Sequence, residues 1–214
     1  MSGLQFFLSL LFVCFCTSLY LVIEGPLLAY QIAKPITTGF ILLIPLLSPC
    51  SKETFSITLT FVGLIFCLIG DVLILWDSLF IFALASFLVG HLIFVTVLIR
   101  KGGMQFNFSI LILLLIVATI LYSQMYSNLF GLKYPVLLYV SCIAMMCWQA
   151  LSLHVKNRNR ATFWFALGAV LFLFSDSILG LVKFSFDFSM SSVLILTTYW
   201  SGIFSIAYAT HFQI

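Results

Sequence analysis

The sequence predicts an all-α, polytopic membrane helix bundle with eight transmembrane helices, forming one integral membrane domain over residues 1–214. Three observations lead there. The chain is 64% hydrophobic and only 7% charged, with a mean hydropathy of +1.26. A soluble domain has roughly 45–50% apolar and about 25% charged residues, so this chain lacks the polar groups to cover a water-facing surface. Its apolar runs reach the ~20 residues that cross a hydrocarbon core at 1.5 Å per residue. Finally, no strand-length alternation is visible, and lipid offers nothing to an unpaired backbone group, so long apolar runs fold as helices. Together these exclude a cytosolic enzyme, a secreted disulfide scaffold and a disordered chain. The net charge of +3 is small and scattered, which points away from nucleic acid as a partner.

Taken in order, the predicted spans are 4–23, 27–47, 55–75, 79–99, 107–125, 133–153, 162–183 and 190–210. The first lacks a basic leading region and a small-residue cleavage site, and reads as a permanent helix rather than a signal peptide. Short polar breaks separate the spans: Glu24-Gly25-Pro26, Pro49 to Glu53, Trp76-Asp77-Ser78, Arg100 to Gly103, Tyr126 to Gly131, Lys156 to Arg160 and Ser185 to Ser189. Links this short make successive helices antiparallel. Lys52, Arg100, Lys101, Lys156, Arg158 and Arg160 then collect on one side, against Lys34, Lys133 and Lys183 on the other. The positive-inside rule puts the first side, with both termini, in the cytoplasm. The sequon Asn107-Phe108-Ser109 falls on that side and is expected to stay unmodified. A bacterial inner membrane and an endoplasmic reticulum membrane fit equally well, and nothing in the sequence sets an oligomeric state. The six cysteines, Cys14, Cys16, Cys50, Cys67, Cys142 and Cys147, read as small hydrophobes. No metal site or cofactor motif is found.

The third and seventh spans echo each other. Gly63 to Gly70-Asp71 reads against Gly168 to Ser175-Asp176, with a Gly eight residues before each Asp. Lys34-Pro35 in the second span and Lys133-Tyr134-Pro135 in the sixth extend the likeness, at an offset of about 100 residues. Four helices per unit preserve direction, so the pattern suggests a parallel four-plus-four repeat.

The repeat places two carboxylates within the bilayer. An Asp at a helix centre costs ~2.5–3.5 kcal/mol on insertion scales, so an intramembrane Asp points to function. By the helical rise, Asp71 lies about 6 Å and Asp176 about 10 Å from the ends of their predicted spans. Lys34, Lys133 and Lys183 belong to the same side. His91 lies midway along the fourth span, and Tyr139, Gln149 and Tyr199 add polar groups able to face inward. A simpler reading has the two Asp pairing with Lys to hold helices together, with Gly63, Gly70, Gly90, Gly168 and Gly180 supplying close contacts. A lone His on an apolar helix is likewise commonly an interhelical hydrogen-bonder.

Two neighbouring buried carboxyls divide into one protonated and one ionised group, the equipment of general acid and general base catalysis. No G-x-S-x-G and no H-E-x-x-H is present, which disfavours a serine lipase and a zincin. Gly70-Asp71 partly matches an intramembrane aspartyl protease, but Leu68 stands where that pattern requires Gly, and Ser175 precedes Asp176 where it requires Tyr.

With these residues in view, the chain resembles the YhhN family of lysoplasmalogenase-like membrane proteins. The resemblance is carried, nearly end to end, by Lys34-Pro35, Gly70-Asp71 with Leu73, Gly90-His91-Leu92, Tyr139, Met146-Cys147-Trp148-Gln149-Ala150, Gly168 to Ser175-Asp176-Ser177, Lys183-Phe184 and Thr198-Tyr199-Trp200. Trp200 stands where another Tyr is expected, and Ser201-Gly202 where a Gln is expected; both departures bear on substrate detail rather than fold. The resemblance implies hydrolysis of the vinyl ether of a lysoplasmalogen, a lysophospholipid, to a fatty aldehyde and a glycerophospho-ethanolamine or -choline. Asp71 and Asp176 would be the acid–base pair, His91, Tyr139 and Tyr199 supporting groups or a proton relay, and Lys34, Lys133 and Lys183 the phosphate contacts. A transporter or channel for a small solute or lipid, using the same charges, is the main alternative; against it, no span is broken by paired Gly/Pro at midplane. Short loops leave little surface for a receptor or scaffold.

Overall fold

A computed structural model describes residues 3–49 and 53–212, with side chains from residue 5 onward. Cys50 and Lys52, both used in the sequence reading, lie outside the described residues. Eight helices follow: α1 Gly3–Glu24, α2 Leu27–Leu42, α3 Thr54–Leu73, α4 Phe80–Gly102, α5 Phe108–Met125, α6 Lys133–Asn157, α7 Arg160–Phe184 and α8 Ser191–Ala209. There is no strand among the described residues. Each helix, with its short flanking turns, is long and apolar enough to cross a membrane, and the protein is an integral, multi-pass membrane protein.

Helix ends differ from the apolar runs for local reasons. α2 stops at Leu42 and continues as a 3-10 turn, Ile44–Leu47, because Pro45 lacks an N–H and disfavours helical backbone before it. α6 runs past its apolar stretch to Asn157 and stops at Arg158, which has left-handed backbone (φ 47°). Asn159 then opens α7, its side chain accepting from the Thr162 N–H at 2.9 Å, an N-cap. Asn107 opens α5 in the same way through the Ile110 N–H.

The ends of α1, α3, α5 and α7 share one end of the bundle with the starts of α2, α4, α6 and α8. Contacts between sequence-distant residues fix this arrangement. Lys183 at the end of α7 meets Asp77 before α4 at 2.6 Å, and Asn128 after α5 donates to the Phe184 carbonyl. At the opposite end Lys101 bonds Glu53, and Ser48 donates to the Thr210 carbonyl at 2.6 Å. The first is called the Lys183 end below.

The most extensive helix pairings are α7 with α8 and α3 with α4, equivalent positions in a four-plus-four arrangement. Both rest on glycine. A Cβ on Gly168 would lie 2.6 Å from the Gly202 carbonyl oxygen, and one on Gly63 would lie 2.5 Å from the Phe94 ring. Without those side chains the backbones approach and dispersion contacts accumulate, which is how helices associate where lipid is as apolar as leucine. Hydroxyls reinforce both pairings: Ser86 donates to the Phe66 carbonyl and Ser175 to the Ile195 carbonyl. The core is centred on α4, α6 and α8. α5 is peripheral, with only Leu114 and Met125 buried.

Candidate functional site

Asp71, two residues before the end of α3, is 1% exposed. A buried carboxylate is tolerated where it is paired and hydrogen-bonded, and α2 and α8 supply the partners. Thr38 Oγ1 donates to Oδ2 at 2.6 Å, Tyr199 OH donates to the same oxygen at 2.8 Å, and Lys34 Nζ lies 3.3 Å from Oδ1. Lys34 and Thr38 are four residues apart on α2, hence on one face. Trp200 Nε1 donates to Thr38 Oγ1 at 3.1 Å, holding the hydroxyl with its proton toward the carboxylate.

Asp176 on α7 is provided for more sparsely. Tyr139 OH of α6 donates to its Oδ2, and among the described residues no cation is paired with it. It lines two small cavities. One, about 50 Å³, rises toward the Lys183 end past Phe87, Val136, Leu179 and Gly180 to Phe80 and Phe184. The other, about 30 Å³, continues inward between α5, α6 and α7 past Leu121, Ala118, Leu173 and Ile143 to Leu114.

The two carboxylates do not bond to each other. An aromatic bridge separates their tyrosines: Tyr199 packs on Phe172 at 5.3 Å between centroids, Phe172 on His91 at 4.6 Å, and His91 on Tyr139 at 5.4 Å. The tyrosines that hold the two carboxylates thus stand at the two ends of a ring cluster. His91 is buried, and among the described residues neither ring nitrogen has a hydrogen-bond partner, so it bonds neither carboxylate directly.

The structure also revises the register of the internal echo. Lys34 is the eighth residue of α2, with Pro35 inside the helix, whereas Lys133 is the first residue of α6. The spatial counterpart of Lys34 is Tyr139: Lys34 holds Asp71, Tyr139 holds Asp176, and both members of the second pair lie 105 residues after those of the first. Lys34 also lines a cavity of about 230 Å³ with Tyr30, Gln31 and Ser192. Lys133 stands over the Tyr126 ring at 4.1 Å, and Lys183 over the Phe80 ring at 5.2 Å. Gln149 lies outside the site. It holds the link between α4 and α5 by two 3.0 Å bonds, accepting from the Gln105 N–H and donating to the Gln105 carbonyl.

Sequence reasoning missed Thr38 altogether and met Trp200 only as a departure from a motif. The spacing of Thr38 from Lys34 was the available signal. The five described cysteines, Cys14, Cys16, Cys67, Cys142 and Cys147, are free.

Eight apolar helices carrying matched intramembrane carboxylates on α3 and α7 define a class of polytopic membrane protein with a buried polar site. The chain belongs to the YhhN family, whose pattern it matches over residues 29–210. It is similar to the bovine (Bos taurus) protein named lysoplasmalogenase TMEM86A, with 32% identity over 160 residues, 71% of this chain and 65% of that protein. The human (Homo sapiens) protein of the same name is 30% identical over 153 residues, 68% of this chain and 62% of that protein. The chain thus spans less than two thirds of the length of these relatives. No solved structure matches it.

Proposed function

We propose that the protein is a lysoplasmalogenase-like hydrolase that cleaves the vinyl ether bond of a lysophospholipid. The observation that carries this reading is the unequal setting of two intramembrane carboxyls. Asp71 has an ammonium and two hydroxyl donors; Asp176 has one phenol and borders two small cavities. Donors and a cation stabilise the ionised form, so Asp71 carries the negative charge and Asp176 supplies the proton.

The chemistry follows. Asp176 protonates the β-carbon of the vinyl ether, and the α-carbon becomes an oxocarbenium ion. Ionised Asp71 stabilises that cation by its field in a medium of low dielectric. Water adds to the α-carbon and gives its proton to the Asp176 carboxylate, restoring the acid. The hemiacetal then separates into a fatty aldehyde and the glycerophospho-alcohol. Tyr139 and Tyr199 orient the two carboxyls, and the buried His91 ring packs in the cluster between those tyrosines. Lys183 is the best-placed phosphate contact. Its partner Asp77 is 94% exposed, so water screens that pair and it yields easily to a phosphate. Lys133 stands at the same end as a second contact, and Lys34 acts mainly on Asp71. The orientation proposed has both termini in the cytoplasm, and accessibility of tags at the two ends tests it.

The test of the reaction is direct. Purified protein incubated with a vinyl ether lysophospholipid should release free aldehyde. The saturated alkyl ether analogue, which has no carbon–carbon double bond to protonate, should remain intact. Flux of a solute across liposomes without aldehyde from either lipid would refute the hydrolase reading in favour of a transporter.

A further inference from the structure

The cavities above and below Asp176 share Met125, Tyr139, Val140 and Asp176. Their order along the bundle is that of an amphiphile standing in one leaflet. At the Lys183 end are a cation and an anion, Lys183 and Asp77. Beneath them Phe80 and Phe184 meet edge to face at 5.7 Å. Next comes Asp176, and beyond it the lining is almost wholly apolar. From Met125 to Leu114 the inner part follows α5 for about 16 Å at 1.5 Å per residue.

We propose that these two cavities are the halves of one binding track for a single hydrocarbon chain. The head group rests at Lys183, the first carbons of the chain pass Asp176, and the tail lies along α5 against Ala118, Leu121, Ile143 and Leu173. This assignment rests on the reading of the preceding subsection and adds the tail site and its means of opening. At about 50 Å³ and 30 Å³, the halves hold water but not a lipid chain, so the track widens when occupied. The movable parts lie at the join. Met125 is the last residue of α5, a flexible thioether side chain, and a Cβ on Gly180 would be 2.9 Å from its sulfur. α5 packs mainly on α6 and moves at little cost in buried contacts. A second apolar groove, about 460 Å³ between α1, α7 and α8, is larger, but Asp176 is not among its lining residues.

The experiment uses Ala118→Trp, which fills the inner half from the cavity-lining face of α5. Aldehyde release is compared for long-chain and short-chain vinyl ether lysophospholipids. Each methylene in an apolar pocket is worth roughly tenfold or more in discrimination, so kcat/KM for the long chain should fall at least tenfold while the short chain is little changed. Equal loss for both, or no loss, overturns the track. A lysophospholipid carrying a photoactivatable diazirine at the chain end gives a readout independent of turnover. It should label residues 114–121 and lose that labelling in Ala118→Trp. Labelling centred on Leu8 to Phe15 and Phe204, or spread evenly over the lipid-facing helices, overturns the proposal. Labelling on α5 by a wild-type protein that releases no aldehyde would uphold the track while rejecting the reaction.

Discussion

Removing the ammonium beside Asp71 should destabilise the whole bundle, independently of any catalytic role. Lys34 Nζ and Asp71 Oδ1 are 3.3 Å apart, with side chains 10% and 1% exposed. At an effective dielectric of 20, two unit charges at that separation attract by about 5 kcal/mol. Breaking a buried pair by deleting one partner costs roughly 3–5 kcal/mol, because the remaining charge is left without its counter-ion. Asp71 keeps its bonds from Thr38 and Tyr199, which places Lys34→Met near the lower value, about 3 kcal/mol. Lys34→Met/Asp71→Asn removes both charges while leaving an amide oxygen for the two hydroxyls. It should return to within about 1 kcal/mol of the parent, since replacing a buried pair by uncharged groups is often nearly neutral. Unfolding in detergent micelles followed by tryptophan fluorescence measures all three proteins. A single variant within about 1 kcal/mol of the parent, or a double variant no more stable than the single one, would refute the view that Asp71 is held as an ion by Lys34.

Three further outcomes are expected. Gly168→Ala should be destabilising by about 1–3 kcal/mol, the usual cost of overpacking, because its Cβ would meet the Gly202 carbonyl oxygen and the Ile206 nitrogen, both backbone. Gly39→Ala, whose Cβ meets nothing within 4 Å, should be neutral or slightly stabilising in the same unfolding measurement. Lys183→Ala should raise KM for a lysophospholipid with a smaller loss of kcat, because its exposed pair with Asp77 contributes little to stability; an unchanged KM in steady-state assays would assign the phosphate to another group.

Most of the fold was legible in the sequence because one variable, the apolar run, decides where a helix crosses a membrane. Departures occur where backbone chemistry overrides hydropathy, as at Pro45 and at the Asn159 cap. The site was legible to a lesser degree. Asp71, Asp176, Tyr139, Tyr199 and His91 announce themselves as polar groups in apolar helices, and the structure gathers them about one aromatic cluster. Their pairing was not readable, since it depends on how far each helix has advanced at a given depth. Matching Lys34-Pro35 to Lys133-Tyr134-Pro135 aligned the wrong turns; contact with the carboxylates shows Lys34 opposite Tyr139. Thr38 is an ordinary residue in sequence and matters only because its hydroxyl meets an oxygen 33 residues away. Gln149 read as a polar group able to face inward and is a loop clamp, because the link between α4 and α5 has backbone groups that need partners.

The division of labour between the carboxyls is what the account stands on. Asp71→Asn and Asp176→Asn, each purified and shown to be folded, should be compared with the parent for aldehyde release from a vinyl ether lysophospholipid. Loss of a positioned general acid costs roughly 10²–10⁴-fold in rate, so Asp176→Asn should fall by that order, with Asp71→Asn also severely impaired. Near-normal turnover in both folded variants would contradict the assignment and leave the two carboxyls as parts of the helix packing alone.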